Sequence, residues 1–142
     1  MTVEQLLAYS DAFMTALKFL MPQLTRFSPI PQEEEIIALL ENPDTSIWIA
    51  KDDDERIVGM LTLVIYRTPT GIHAWIEDVV VDESYRGKGF GKLLTSNAIE
   101  YAEQKHAKAI SLTSRPERIV ANQLYQKMGF ELINTNFYRK VL

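Results

Sequence analysis

The fold class predicted for this chain is mixed α/β (α+β): a largely antiparallel sheet flanked by helices. Three observations predict it. Apolar residues recur at helical spacing near both ends, β-branched runs separated by turn residues fill the middle, and a glycine-rich turn joins a valine-rich strand to an amphipathic helix. The length, 142 residues, suits one domain spanning residues 1–142.

The elements follow in order. Residues 2–20 read as a helix, with Thr2 and Gln5 matching a capping box and Leu6, Leu7, Phe13, Met14, Leu17 and Leu20 at helical spacing. Pro22, Pro29 and Pro31 punctuate a loop. Pro31 suits the first position of a second helix. Glu33, Glu34 and Glu35 favour its positive end, and Asn42-Pro43 stops it. Residues 47–50 and 57–66 read as a hairpin around Asp52, Asp53 and Asp54, with Gly59 inside the second strand. Thr68-Pro69-Thr70-Gly71 turns the chain into a third strand, 73–81, whose three valines predict an end buried on both faces. Leu93, Leu94, Ala98, Ile99 and Ala102 mark the next helix. A strand over 109–113 and a helix over 116–128 follow, with Gly129 as a left-handed stop. Residues 130–133 and 137–141 are expected to be two closing strands.

Composition narrows the function. The chain is 46% apolar and 24% charged, an ordinary globular balance. Its net charge of −4 disfavours sequence-independent nucleic-acid binding, which rests on cationic excess. Without cysteine there is no disulfide, no Cys-based metal site and no Cys nucleophile, and two histidines alone do not make a zinc site. No apolar run approaches the roughly 20 residues that span a bilayer, and no signal peptide is read, so a cytoplasmic protein is expected.

The most informative segment is Arg86-Gly87-Lys88-Gly89-Phe90-Gly91-Lys92. Glycines let the backbone approach a ligand, and a helix N-terminus favours anions. Arg86, Lys88 and Lys92 add local positive charge with no acid among them. These features describe a pyrophosphate cradle. A P-loop is excluded, because Arg86 stands where its first Gly belongs and Leu93 where its Ser/Thr belongs. A Gly-x-Gly-x-x-Gly fingerprint fails too, because its third Gly falls on Lys92 or Leu94. What fits is Arg-x-x-Gly-x-Gly.

With that motif, residues 73–133 resemble the GNAT superfamily of acetyl-CoA-dependent N-acetyltransferases. A second segment supports the resemblance: Asn122-Gln123-Leu124-Tyr125-Gln126-Lys127-Met128-Gly129-Phe130 is similar to the family's Asn-x-x-Tyr-x-x-x-Gly-Phe. The resemblance is architectural over the first half of the chain. The family usually begins with a strand, whereas this chain reads as beginning with a helix, so the expected sheet is short of its first strand.

The resemblance implies roles by position. The amides from Gly87 through Lys88, Gly89, Phe90 and Gly91 to Lys92 would hold the CoA pyrophosphate beside Arg86. The backbone of Val79 and Val81 would pair with the pantetheine arm as an added strand. Asn122 would lie near that arm, and Tyr125 would protonate the departing thiolate. No metal is implied. The acceptor would be a primary amine, on a small molecule or on a protein. A homodimer through the final strands is common in the family.

A lysine-like amine must lose a proton before it attacks, at about 4.6 kcal/mol at pH 7. Glu77 and Asp78 are the candidate bases, directly or through a water. Strand alternation points them to opposite faces, and Glu77 is favoured. Either also reads as a solvent-facing edge residue. Tyr125 shares a helical face with Asn122 and, outside the motif, reads as a core tyrosine. His73, the Glu33–Glu35 cluster, Trp48, Trp75 and Phe27 are weaker candidates. Without cysteine an acetyl-Cys intermediate is impossible, so direct transfer in a ternary complex is expected. The alternative is a non-catalytic acyl-CoA-binding sensor or structural module.

Overall fold

The computed structural model describes residues 1–142 as five strands and four helices. Strand β1 (Thr2–Leu6) leads to α1 (Asp11–Leu24) and α2 (Glu33–Glu41). Strands β2 (Thr45–Lys51), β3 (Ile57–Thr68) and β4 (Gly71–Val81) follow, then a 3-10 turn (Glu83–Tyr85). Helix α3 (Phe90–Gln104), β5 (Ile110–Ser111) and α4 (Ile119–Lys127) complete the order. The sheet runs β1-β2-β3-β4-β5. All pairings are antiparallel except β4 with β5. No helix is long and apolar enough to cross a membrane.

The N-terminus corrects the sequence reading. Residues 2–6 are a strand paired with β2, Thr2 against Lys51 through Leu6 against Ile47. The sheet therefore has its first strand. Helix α1 starts only at Asp11, where Ser10 Oγ accepts from Phe13 N at 3.1 Å. The expected register failed because Leu6 lies one heptad before Phe13 and fits either period. What decided the strand was β2, whose Ile47, Trp48, Ile49 and Ala50 are all buried and whose edge needs a partner. Pro22 lies inside the last turn of α1 rather than in the loop. There it removes one donor, a modest loss so near a helix end. Helix α2 begins two residues after Pro31, with Gln32 N donating to Glu35 Oε2 at 2.7 Å.

Two apolar clusters cover the two faces of the sheet. One gathers Trp48, Leu61, Leu63, Ala74 and Ile76 under Phe90, Leu94 and Ala98 of α3. The other gathers Ile47, Ile49, Met60 and Val80 under Phe13, Leu17 and Leu20 of α1 and Ile36 of α2.

The β3–β4 ladder carries the feature that matters most for function. Met60 opposes Val80 and Thr62 opposes Glu77, so Leu61 faces two residues, Asp78 and Val79. This is a β-bulge, with Asp78 at φ 51°. The extra residue reverses the alternation. Ala74 and Ile76 point under α3 before the bulge, whereas Val80 points under α1 after it. Of the three valines only Val80 is buried, and Val79 and Val81 are half-buried. The expected two-sided burial is thus confined to one residue.

The C-terminal third is less regular than expected. The β4–β5 ladder holds only Ala74–Ile110 and Trp75–Ser111, and α4 starts at Ile119 rather than 116. The expected strands over 130–133 and 137–141 are absent, and Leu132, Ile133, Phe137, Tyr138 and Val141 are exposed. A strand is stabilised by cross-strand neighbours, and a two-residue β5 offers no edge for them.

Candidate functional site

The glycine turn combines left-handed backbone with unused amides. Gly87 and Gly89 have φ of +76° and +92°, conformations that strain residues with a Cβ. Gly89 caps α3 from the left-handed region. The amides of Lys88, Gly89, Phe90, Gly91 and Lys92 donate to no backbone acceptor, and Leu93 N is the first to be used, at 3.0 Å from Gly89 O. A Cβ at Gly91 would lie 3.6 Å from Leu124 Cδ2, so α4 borders this turn.

The cations around the turn divide their tasks. None of Arg86, Lys88 or Lys92 forms a salt bridge. Arg86 Nε donates to Val81 O at 3.1 Å. Lys88 Nζ sits 4.7 Å from the centre of the Tyr85 ring. Tyr85 also packs edge-on against Phe90 and donates its hydroxyl to Asp52 Oδ2 at 2.8 Å. Asp52 Oδ1 in turn accepts from the amides of Asp54 and Arg56. The Tyr85 bond, reinforced by these amides, holds the Asp52 carboxyl below its usual range. This brace ties the cradle to the β2–β3 turn, and no sequence motif announced it.

The free edge of β4 runs from the cradle into the sheet. Main-chain N–H and C=O of one strand residue face the same neighbour. Ile72 O accepts from Lys108 N, and Ala74 N donates to Ala109 O, so these residues face β5. Beyond the bulge Asp82 N donates to Val58 O, so Val79 and Val81 face outward. The β5 ladder ends at Trp75, which leaves that outward edge open to an extended ligand. Val79 presents both its N–H and its C=O at that edge. Val81 presents its N–H there as well, while its carbonyl accepts from Arg86 Nε.

Helix α4 places Tyr125 and Asn122 differently. Tyr125 is buried, 7% exposed, and makes no side-chain hydrogen bond to the protein. Burial pushes its hydroxyl above the usual tyrosine range, opposed by Arg118. Gly129, at φ +92°, ends the helix as expected and lets Phe130 N bond Tyr125 O at 3.0 Å. Phe130 thereby packs edge-on against the Tyr125 ring, 5.7 Å away. Asn122 donates from Nδ2 to the carbonyls of Arg115 and Arg118, at 2.8 and 2.9 Å. It braces the loop before α4 and offers a ligand only its Oδ1. Ser114, in that loop, has a buried Oγ with no hydrogen-bond partner.

Glu77 lies on the opposite face of the sheet from α3. It lines an open groove of about 300 Å³ with Val64, Tyr66, Trp75 and Thr113, and with Phe137 and Arg139 from the C-terminal segment. Asp78 is exposed on the bulge. His73 is spent elsewhere. Its Nε2 meets Thr68 Oγ1 and Thr70 Oγ1 at 2.8 and 3.0 Å, and its ring stacks on Tyr66. Trp48 belongs to the core, where Nε1 donates to Ser46 Oγ. Phe27 is exposed, and Glu33–Glu35 cap α2 away from the groove lining. Sequence reasoning missed Ser114, Thr113, Tyr66, Phe137 and Arg139, whose placement depends on chain segments meeting in space.

The free β4 edge and the left-handed glycine turn with its unused amides together fit acetyl-CoA. No group of three or more His, Asp and Glu side chains is placed to hold a metal ion.

Comparison with known proteins gives the family and the fold. The model of the acetyltransferase (GNAT) family matches residues 13–130. Glucosamine 6-phosphate N-acetyltransferase of Trypanosoma brucei brucei is 41% identical over 78 residues, covering 53% of this chain and 51% of that protein. Mycothiol acetyltransferase of Renibacterium salmoninarum is 34% identical over 84 residues, covering 58% of this chain and 25% of that protein. The matched part spans between a quarter and about half of the length of four such curated relatives and reaches 72% in another. The fold is similar to that of an aminoglycoside acetyltransferase from an uncultured soil metagenomic sample. The TM-score is 0.84 at 21% identity, covering 99% of this chain and 96% of that one.

Proposed function

The chain belongs to the acetyltransferase (GNAT) family, and from that premise we propose that it moves the acetyl group of acetyl-CoA to the nitrogen of a primary amine, both substrates being held in one complex. One observation carries the reading. The bulge at Asp78 splits β4 so that Val79 turns its main chain to the open edge while Glu77 faces the groove on the other side. Donor and acceptor thus have separate approaches to one point on the strand.

When bound, acetyl-CoA supplies an activated acyl carbon, to which the amine nitrogen bonds as the carbon–sulfur bond breaks. The cradle amides and Lys92 neutralise pyrophosphate charge. Val79 N–H and C=O orient the arm as a neighbouring strand would. Glu77 takes the proton that the amine loses, directly or through a water. Tyr125 gives a proton to the departing sulfur. A tyrosine hydroxyl, near 10 in its ordinary range, is already protonated at neutral pH, and burial of Tyr125 pushes it further the same way. The chain has no cysteine, so the acetyl group passes directly to nitrogen. Small amines and protein amines both fall within this reading.

The test is CoA release with a panel of amino sugars, amino acids, polyamines, aminoglycosides and short peptides, run beside Tyr125→Phe. Loss of a general acid costs roughly 10²–10⁴-fold in turnover, with acetyl-CoA affinity little changed. Full turnover in the variant would remove Tyr125 from the mechanism. Tight acetyl-CoA binding without turnover for any amine would make the chain a binding module instead.

A further inference from the structure

We infer that the acceptor is a small primary amine that also carries an anionic group, carboxylate or phosphate, on a ring or apolar body. The inference takes from the reading above only that the Glu77 groove receives the acceptor.

The groove lining presents two opposite charges. Glu77 comes from β4, and Arg139 comes from the C-terminal segment more than 60 residues later. They line one cavity yet form no salt bridge with each other or with any other side chain. Each charge therefore remains available to a ligand. The Arg139 guanidinium carbon lies 5.5 Å from the centre of the Phe137 ring, within cation–π range. No side-chain N–H of Arg139 donates to another protein group, so its N–H fork is free. That fork matches carboxylate and phosphate oxygens in pairs, which a polyamine or a neutral amine does not supply.

The remaining walls describe the body between the two charges. Trp75, Tyr66 and Phe137 give aromatic surface, which suits a sugar face, an aromatic ring or an aliphatic chain. The volume, about 300 Å³, lies at the small end of ligand sites. An amine seated by Glu77 and an anion seated by Arg139 complete the complementarity. A dicationic acceptor would meet Arg139 as a like charge.

Two pairs of probes separate the anion from the rest of the molecule: phenylalanine with phenethylamine, and glucosamine 6-phosphate with glucosamine. Binding of each is measured by calorimetry on the full chain saturated with CoA, which blocks turnover, and acetyl-CoA consumption is measured in parallel. In at least one pair the anionic member binds 10-fold or more tightly than its neutral partner. Arg139→Gln abolishes that ratio and Arg139→Lys keeps part of it. The pair that discriminates tells carboxylate from phosphate. Equal binding within both pairs, or a ratio that survives Arg139→Gln, would overturn the inference while leaving acetyl transfer to neutral amines standing. Discrimination in binding without consumption of acetyl-CoA would uphold the anion site and sink the catalytic reading.

Discussion

Replacing Gly89 by alanine tests the cradle at the point where conformation and ligand meet. Gly89 sits at φ +92° and ψ 0° as the cap of α3. A Cβ built there meets no atom within 4 Å, so no clash contributes. The whole effect is the left-handed penalty, about 1–2 kcal/mol for a residue with a Cβ. Two responses are open to the chain. If the turn keeps its shape, stability falls by that amount, which for a domain of this size lowers Tm by roughly 3–8 °C. If the turn relaxes toward negative φ, stability recovers, but the five unused amides are reoriented. Acetyl-CoA then binds about 5–30-fold more weakly, the same free energy read as an equilibrium. Thermal melts and acetyl-CoA titration on one preparation measure both. Gly91→Ala is the control. Gly91 has no positive φ, its Cβ makes only an ordinary 3.6 Å contact with Leu124, and it lies inside the helix. There alanine is the better helix former by up to about 1 kcal/mol, so Tm holds or rises. A Gly89→Ala protein with unchanged Tm and unchanged acetyl-CoA affinity would refute the assignment of strain and amides to this turn.

Two other substitutions probe the frame around the cradle. Gly59→Ala places a Cβ 3.1 Å from Val80 O and 3.3 Å from both Leu94 Cδ1 and Val81 Cγ2. It should destabilise by about 1–3 kcal/mol, as overpacking does, and weaken acetyl-CoA binding by moving β4 and α3. Normal melting and binding would show that β3 yields instead. Tyr85→Phe removes the bond to Asp52. Because Asp52 is held below its usual range in the folded chain, chiefly by Tyr85, that stabilisation is present above the unfolded pKa near 3.9 and is lost as pH falls through the lower folded value. The Tm gap between wild type and Tyr85→Phe should therefore be widest near neutrality and shrink below about pH 4. A gap independent of pH would mean that the hydroxyl contributes only through packing.

Local chemistry explains which parts could be read from the residue order. The glycine turn was legible because left-handed caps, helix N-termini and clustered cations act within a few residues. The stop at Gly129 and the hairpin of β2 and β3 follow from the same short range. Strand β1 was not legible, since Leu6 satisfies two periods and only the edge of β2 chooses between them. The closing strands were misread for the converse reason. Residues 130–141 have strand-like composition, yet no partner strand is there to hold them.

The candidate site divides along the same line. Sequence alone determined that a strand, a glycine-rich cap and a helix come in succession, and that an Asn and a Tyr recur on one turn of a later helix. These are properties of neighbours in the chain, set by backbone sterics and helical spacing. Only the tertiary structure decided that two residues of β4 oppose Leu61. That mismatch reverses the facing of the strand between Glu77 and Val79. Tertiary packing also carried Arg139 and Phe137 to the groove of Glu77. The physical reason is one of range. A conformational preference acts on its own residue, whereas register, burial and charge pairing exist only once distant segments are in contact.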